Sequence, residues 1–344
     1  MQLWEMTTAY HASGAPKRLT GQQERLAAIL QGGTDIELLL QSEQDAYFLY
    51  HLSQLRRNLL DWIALSPDET VLELDGQTGV LTTLLAEHSR HVTTVVTDEV
   101  EAWLQAIRCE RFDHVAIRMP HSSNDKSATA PSIYNDDISS ADVSDTQKDN
   151  VGLTESTASP NPCVLYDMVT LIGARHALYD CLFSSDARMD DAYAQYARLL
   201  ALAHDSLRPG GRLLLAVNNR LGLQYLSGKT DACCHQLYDT LQNDVDGQDE
   251  YCLSKLRLET LLTDAGFTEL KFYYPTPDYL FPTAIYSDSY LPAVGELRPT
   301  SVHYGRERYQ LFDERKVFDS FCEEGLYDLF ANSYLVIAKL ASLE

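Results

Sequence analysis

The chain carries an apolar run, Thr70-Val-Leu-Glu-Leu74, that enters a short turn, Asp75-Gly-Gln-Thr-Gly79. It leaves the turn as a helix-forming stretch, Val80-Leu-Thr-Thr-Leu-Leu-Ala86. Strand, tight turn and helix in this order aim backbone N–H groups and a helix N-terminus at one point. An anionic or zwitterionic group of a nucleotide-type ligand can sit there. Glycine suits positions 75, 77 and 79 of such a turn; only Gly79 is present, with Gly76 displaced by one and Asp75 and Gln77 in the other places. A side chain at those positions makes a positive φ costly and fills space near the ligand.

The same alternation continues downstream. Strands are expected at Val92–Val96, His114–Arg118, Tyr166–Ile172, Arg212–Val217, Phe267–Tyr274 and Ser333–Leu340. Helices are expected at Gly79–His88, Glu99–Arg108, Asp190–Ser206 and Ser254–Ala265, with Leu207-Arg-Pro-Gly-Gly211 as a turn. Strands alternating with helices predict an α/β fold with a doubly wound, mostly parallel sheet. One of the last two strands is expected to run antiparallel at the sheet edge.

Before this unit, residues 1–20 read as a loose leader, and Gln22–Gln31 and Asp35–Leu65 as two helices, so that residues 1–65 form a helical N-terminal extension to an α/β domain over 66–344. Two insertions interrupt that domain. Residues 121–162 hold 13 Ser or Thr, seven Asp or Glu and two Lys. Such a segment buries too little apolar surface to offset its ordering entropy, and it reads as a disordered acidic insertion. Residues 275–331 form a long Tyr-rich stretch, expected to act as a lid near the carboxyl ends of the strands.

Net charge excludes some partners. With 27 Lys and Arg against 50 Asp and Glu, the chain carries −23, which disfavours nucleic acid and anionic membrane surfaces. No run of 18 apolar residues and no signal peptide are found, so no membrane span is expected and the cytoplasm is the expected location. The seven cysteines, at 109, 163, 181, 233, 234, 252 and 322, are odd in number and irregular in spacing, which fits reduced thiols. Cys233-Cys234-His235 with Cys252 lacks a C-x-x-C pair, and no metal is expected. A nicotinamide-dependent oxidoreductase would share the strand–turn–helix, but G-x-G-x-x-G is missing.

The Val71-Leu-Glu-Leu turn, the Tyr166-Asp-Met-Val strand and Leu207-Arg-Pro-Gly-Gly-Arg-Leu-Leu-Leu215 together resemble class I S-adenosylmethionine-dependent methyltransferases. Four further segments resemble a bacterial subgroup associated with glycosyltransferases and surface-glycan assembly. They are Asn218–Tyr225, Phe272–Tyr279, Phe281–Pro292 and Phe330–Val336. The resemblance implies a Rossmann-like methyltransferase fold and S-adenosylmethionine as cofactor. It also implies a glycan or sugar-nucleotide substrate and a glycosyltransferase partner. Placed on this chain, it implies cofactor contacts at Glu73, Asp75, Gly76, Gln77 and Gly79, with Asp98 toward the ribose. The alternative reading of the same residues is a non-catalytic methyltransferase fold serving as a glycosyltransferase scaffold, because Asp75, Gln77 and Val96 depart from the family pattern.

Several side chains then have two readings each. Asp98 accepts from ribose hydroxyls or caps the helix that follows. His176 is a general base for an acceptor hydroxyl or an exposed loop histidine. Arg175 pairs with a substrate phosphate. Asn219 and Arg220 bind sugar hydroxyls or serve turn chemistry. Tyr286 and its neighbours stack on sugars or pack the 275–331 stretch against the sheet.

Overall fold

The computed structural model describes residues 3–12, 14–121, 164–173, 175–183, 192–230, 237–242, 252–297 and 311–341. Among them, nine strands make one sheet: β1 (Thr7–Ala9), β2 (Thr70–Leu74), β3 (His91–Val95), β4 (Val115–Pro120), β5 (Tyr166–Ile172), β6 (Leu207–Asn218), β7 (Phe267–Thr276), β8 (Ala284–Ser287) and β9 (Ser333–Leu340). The order across the sheet is β1-β4-β3-β2-β5-β6-β9-β7-β8. The five strands from β4 to β6 are parallel neighbours, while β9 runs antiparallel to both β6 and β7 and so lies inside the sheet rather than at its expected edge position, with β8 outermost. This is a Rossmann-like, mostly parallel α/β arrangement.

The parallel strands are apolar on both faces because both faces are covered. Along β2, Val71 packs with the Val80–His88 helix residues Leu81, Leu84 and Leu85, whereas Leu72 and Leu74 pack on the opposite side with Leu178, Leu199 and Leu200. Each fully buried leucine contributes roughly 1.5–3 kcal/mol. The two layers therefore pin β2, and with it the turn at its carboxyl end.

The strands expected from the sequence are found within a few residues, and three differences have physical causes. The stretch Asp35–Leu65 is not one helix: it breaks into Ile36–Glu43, Ala46–Leu52 and a 3-10 turn, Gln54–Leu59. Gln44 adopts φ 49°, and Asp45 and Ser53 each accept from a backbone N–H two residues on. Local capping bonds thus outcompete helix continuation. The leader is not loose either, since β1 pairs with β4 and the Arg118 side chain donates to Thr7. Leu207–Gly211 is not a separate turn but a bulge within β6, where Leu207 pairs with Tyr166 and the ladder resumes at Arg212 opposite Met168.

The helices of residues 21–52 form their own apolar cluster, with Leu26, Phe48 and Leu52 packed against Leu104 of the Glu99–Cys109 helix. This brings residues 50–56 beside the turn after β2. Within the 275–331 stretch, the described residues add β8 and a helix, Glu314–Glu323, and bury Leu297, Phe318 and Tyr327 in the main core. Residues 298–310 lie outside the described residues, as do 122–162, Cys163, Cys233, Cys234 and His235. Among the described residues no helix is long and apolar enough to cross a membrane, and no His, Cys, Asp and Glu group is placed to hold a metal.

Candidate functional site

β2 delivers Glu73 and Asp75 to the carboxyl end of the parallel strands, where ligands of open α/β sheets bind. Asp75, Gln77 and Gly79 have φ of 62°, 50° and 82°. The turn therefore keeps left-handed backbone at all three places, although only the last is glycine. At the two others it costs on the order of 1–2 kcal/mol per residue. Gly76 is required for a different reason, close approach. Its N–H donates to the Val95 carbonyl at 3.0 Å, and a Cβ there would stand 2.0 Å from Thr94 Oγ1.

Glu73 is buried, and the Thr82 hydroxyl donates to it at 2.5 Å. Gln105 Nε2 in turn donates to Thr82 Oγ1 and Thr94 Oγ1, at 2.7 and 3.1 Å. Burial pushes the Glu73 carboxyl up to about 7, against the pull of Thr82, Thr94 and Arg56. The group thus changes charge near neutral pH.

Two groups of contacts hold the strained turn. The first is Arg175, just past β5. Its Nε and one terminal nitrogen donate to Asp75 at 3.0 and 2.7 Å. Its terminal nitrogens also reach Glu101 at 3.1 and 2.8 Å. The guanidinium thus bridges the β2 turn to the Glu99–Cys109 helix, and the Asp75 side chain has no exposed surface. Burial works against the Arg175 cation, but its bonds to Asp75 and Glu101 more than offset this and hold it charged. Burial raises Glu101, with Arg175 opposing.

The second group comes from the N-terminal helices. Tyr50 donates to Gln77 Oε1 at 2.6 Å, and His51 Nδ1 lies 2.8 Å from Thr78 Oγ1. Burial, aided by Arg56, Arg108 and Arg175, lowers His51 to about 3, so it is neutral at physiological pH. Arg108 donates to the carbonyls of Thr78 and His51 at 2.7 and 2.6 Å, tying the two segments together. Between these supports lies an open crevice of about 280 Å³, bordered by Arg56, Glu73, Asp75, Gly76, Gln77 and Ile172.

The structure thus gathers Glu73, Asp75, Gly76, Gln77, Gly79 and Arg175 in one place. The other candidates are placed otherwise. Asp98 is exposed and caps the Glu99–Cys109 helix, its Oδ1 accepting from Val100 and Glu101 N–H at 2.9 Å each. His176 follows Arg175 but faces elsewhere, with Nδ1 3.0 Å from Gln195 Oε1 of the Ala192–Ser206 helix. Asn219 is fully buried, and its amide donates to the Leu329 and Ala331 carbonyls at 2.8 and 2.7 Å. Arg220 is half-buried directly after it. Tyr286 stands in β8, packed edge-on against Tyr327 and stacked with Tyr290. Five strand spacings separate β8 from β2 in the sheet order, roughly 24 Å at ~4.8 Å each.

Tyr50, Arg56, Glu101 and Gln105 belong to the site and do not stand out in the sequence. Glu101 had one available signal: it lies one helical turn from Asp98, toward the start of the same helix.

No protein-family model matches the chain, and no curated protein does. Solved structures are similar at low identity. One is a SAM-dependent methyltransferase of Thermotoga maritima, with 14% identity over 92% of this chain and 99% of that chain and a TM-score of 0.39. A second, a SAM-dependent methyltransferase of Archaeoglobus fulgidus, has 13% identity over 92% and 98% and a TM-score of 0.39. A third is phosphoethanolamine N-methyltransferase 1 of Haemonchus contortus, solved with phosphoethanolamine and S-adenosylhomocysteine. It has 10% identity over 94% of this chain and 51% of that chain, with a TM-score of 0.42. These likenesses are distant, and what the site can do follows from its own geometry.

Proposed function

We propose that the chain binds S-adenosylmethionine at the carboxyl end of β2 and transfers its methyl group to an acceptor. The observation that carries this reading is the turn itself. Asp75 and Gln77 hold the left-handed backbone that glycine would supply, φ 62° and 50°, and neighbouring side chains hold them in it. A turn kept at such a cost points to a ligand site.

The residues present fit the zwitterionic end of such a cofactor. Asp75 offers a carboxylate to an ammonium group, and the start of the Val80–His88 helix offers N–H groups to an anion. The sulfonium supplies an electrophilic methyl group. The protein's part is to position the two reactants and exclude water. Arg175 must yield, because its guanidinium occupies both Asp75 oxygens, where the ammonium group would bind. Released from Asp75 and Glu101, its guanidinium is free for an anionic acceptor such as a sugar nucleotide. His176, next in the chain, is the candidate base for the acceptor hydroxyl, and Asp98 the candidate for the ribose. The resemblance of 218–225, 272–279, 281–292 and 330–336 supports a glycan or glycan precursor as acceptor, a glycosyltransferase as partner and the cytoplasm as location.

The Arg175 bridge also favours a second reading, a non-catalytic scaffold in which the bridge replaces the cofactor permanently. Calorimetry with S-adenosylmethionine and S-adenosylhomocysteine decides between them. Dissociation constants of roughly micromolar order, about −8 kcal/mol, are expected for a working site. Absence of binding at millimolar ligand, in the natural chain and in Arg175→Met alike, leaves the scaffold.

A further inference from the structure

We infer that Arg56 is the anchor for the carboxylate of the cofactor's amino-acid moiety. The inference rests on the cofactor reading above and adds to it a residue from the N-terminal extension.

Arg56 lies in the 3-10 turn Gln54–Leu59, only 7% exposed, and borders the crevice together with Asp75, Gly76 and Gln77. Its guanidinium lies 4.0 Å over the Tyr50 ring and donates to the Tyr50 carbonyl at 3.3 Å. Among the described residues no carboxylate forms an ion pair with it. The half-buried arginines near the turn are better satisfied: Arg175 has two carboxylates and Arg108 two carbonyls. A buried cation is costly without a partner. A guanidinium has five N–H donors and holds a carboxylate by two of them.

A second feature points the same way. Val80 and Leu81, the first residues of the Val80–His88 helix, border the same crevice. The N-terminus of that helix favours an anion through its N–H groups and its dipole. Glu73, an acid that borders the same crevice, is no strong competitor for Arg56. Its proton leaves only near pH 7, and its carboxyl is already bonded by Thr82. Asp75 borders the same crevice and, once Arg175 yields, is the group for a cation. The walls are therefore complementary to a zwitterion, with the carboxylate toward Arg56 and the ammonium toward Asp75.

The test compares S-adenosylmethionine with decarboxylated S-adenosylmethionine, which lacks only the carboxylate. The natural chain and Arg56→Gln are titrated with each by calorimetry, with Arg56→Lys alongside. Loss of the anchor is expected to weaken S-adenosylmethionine by roughly 10–100-fold and to leave the decarboxylated ligand within about twofold. Arg56→Lys should recover part of the loss, since a lysine keeps the charge but not the fork. Equal weakening of both ligands, or of neither, overturns the inference while the cofactor reading stands. If neither the natural chain nor Arg175→Met binds either ligand, the cofactor reading falls and the anchor with it. Should Arg56→Gln fail to fold, the natural chain's preference between the two ligands decides, because an anchored carboxylate requires one of about tenfold or more.

Discussion

The carboxyl ends of the sheet's parallel strands are supported in two contrasting ways. Beside β2 and β5 the supports are charges: Asp75, Arg175 and Glu101 form one bridge over a turn in left-handed backbone. Beside β6 and β7 a charged cluster, Lys255 with Asp288 and Asp328, lies against β7, but the knot that ties the strand ends together is made of neutral amides. Asn219 donates to the Leu329 and Ala331 carbonyls, Asn332 to the Pro277 carbonyl, and Gln224 to the Asn332 carbonyl. The amide knot joins three of the segments that resemble the glycan-associated subgroup, and all its members are held by short-range bonds to backbone. The difference teaches which half can change. Amide-to-carbonyl bonds are of one kind and have no exchangeable partner, so they fix the chain. An ion pair can exchange one of its ions for a charged ligand, so the bridge over the β2 turn is the part that can open.

The strongest way to break this comparison is to remove the shared cation. Arg175→Met leaves Asp75, whose side chain has no exposed surface, without its partner. Breaking a buried pair in this way costs about 3–5 kcal/mol. Chemical unfolding should show that loss, and Arg175→Met with Asp75→Asn should recover much of it. A loss below about 1 kcal/mol would mean the bridge is a surface pair of the usual small worth, and the contrast between the halves would disappear.

Next in size is a pH effect that originates at Glu73. The folded chain holds the Glu73 proton more tightly than the unfolded chain, because burial lifts its pKa from 4.5 to about 7. That carboxyl therefore favours the fold fully below about pH 4.5, and the contribution fades as pH rises through about 7. The shift corresponds to about 3 kcal/mol at ~1.4 kcal/mol per unit. Glu73→Gln removes this component. The stability difference between pH 4.5 and pH 8 should then change by about 3 kcal/mol relative to the natural chain. Parallel pH profiles for the two proteins would show that Glu73 does not titrate in this window.

The contrast also explains what could be read from the sequence. Strand β2, the turn after it, β5 and β9 are legible because apolar residues run uninterrupted and small residues punctuate them. The three-residue β1 is too short for any such pattern, and the break at Gln44 depends on the competing Asp45 cap. Within the site, the cost of Asp75 and Gln77 at glycine positions was visible, but not what offsets it. Arg175 is 100 residues from Asp75 and Tyr50 is 27 from Gln77, and no local period relates them. Asn219 looked like a ligand-binding amide because a polar pair after a strand carries no mark of burial. Only the folded chain brings the 329–332 carbonyls to it.

The smallest of the three effects belongs to the neutral half and sharpens the comparison. Asn219→Ala removes two donors from the Leu329 and Ala331 carbonyls, one of them deep in the protein. Leaving buried carbonyls unsatisfied costs about 1–3 kcal/mol per bond, and the more exposed Leu329 carbonyl can turn to water. The expected loss is therefore about 2 kcal/mol in chemical unfolding, less than for Arg175→Met. It should also be equal at pH 5 and pH 8, since no member of the knot titrates. Asn219→Asp sets the same geometry against a charge: its carboxylate can accept but not donate, so it should be worse than alanine at pH 8 and recover toward it as the carboxyl is protonated. If Asn219→Ala instead shows a pH-dependent loss, the amide knot is coupled to the charged turn, and the two halves of the sheet edge are one electrostatic unit.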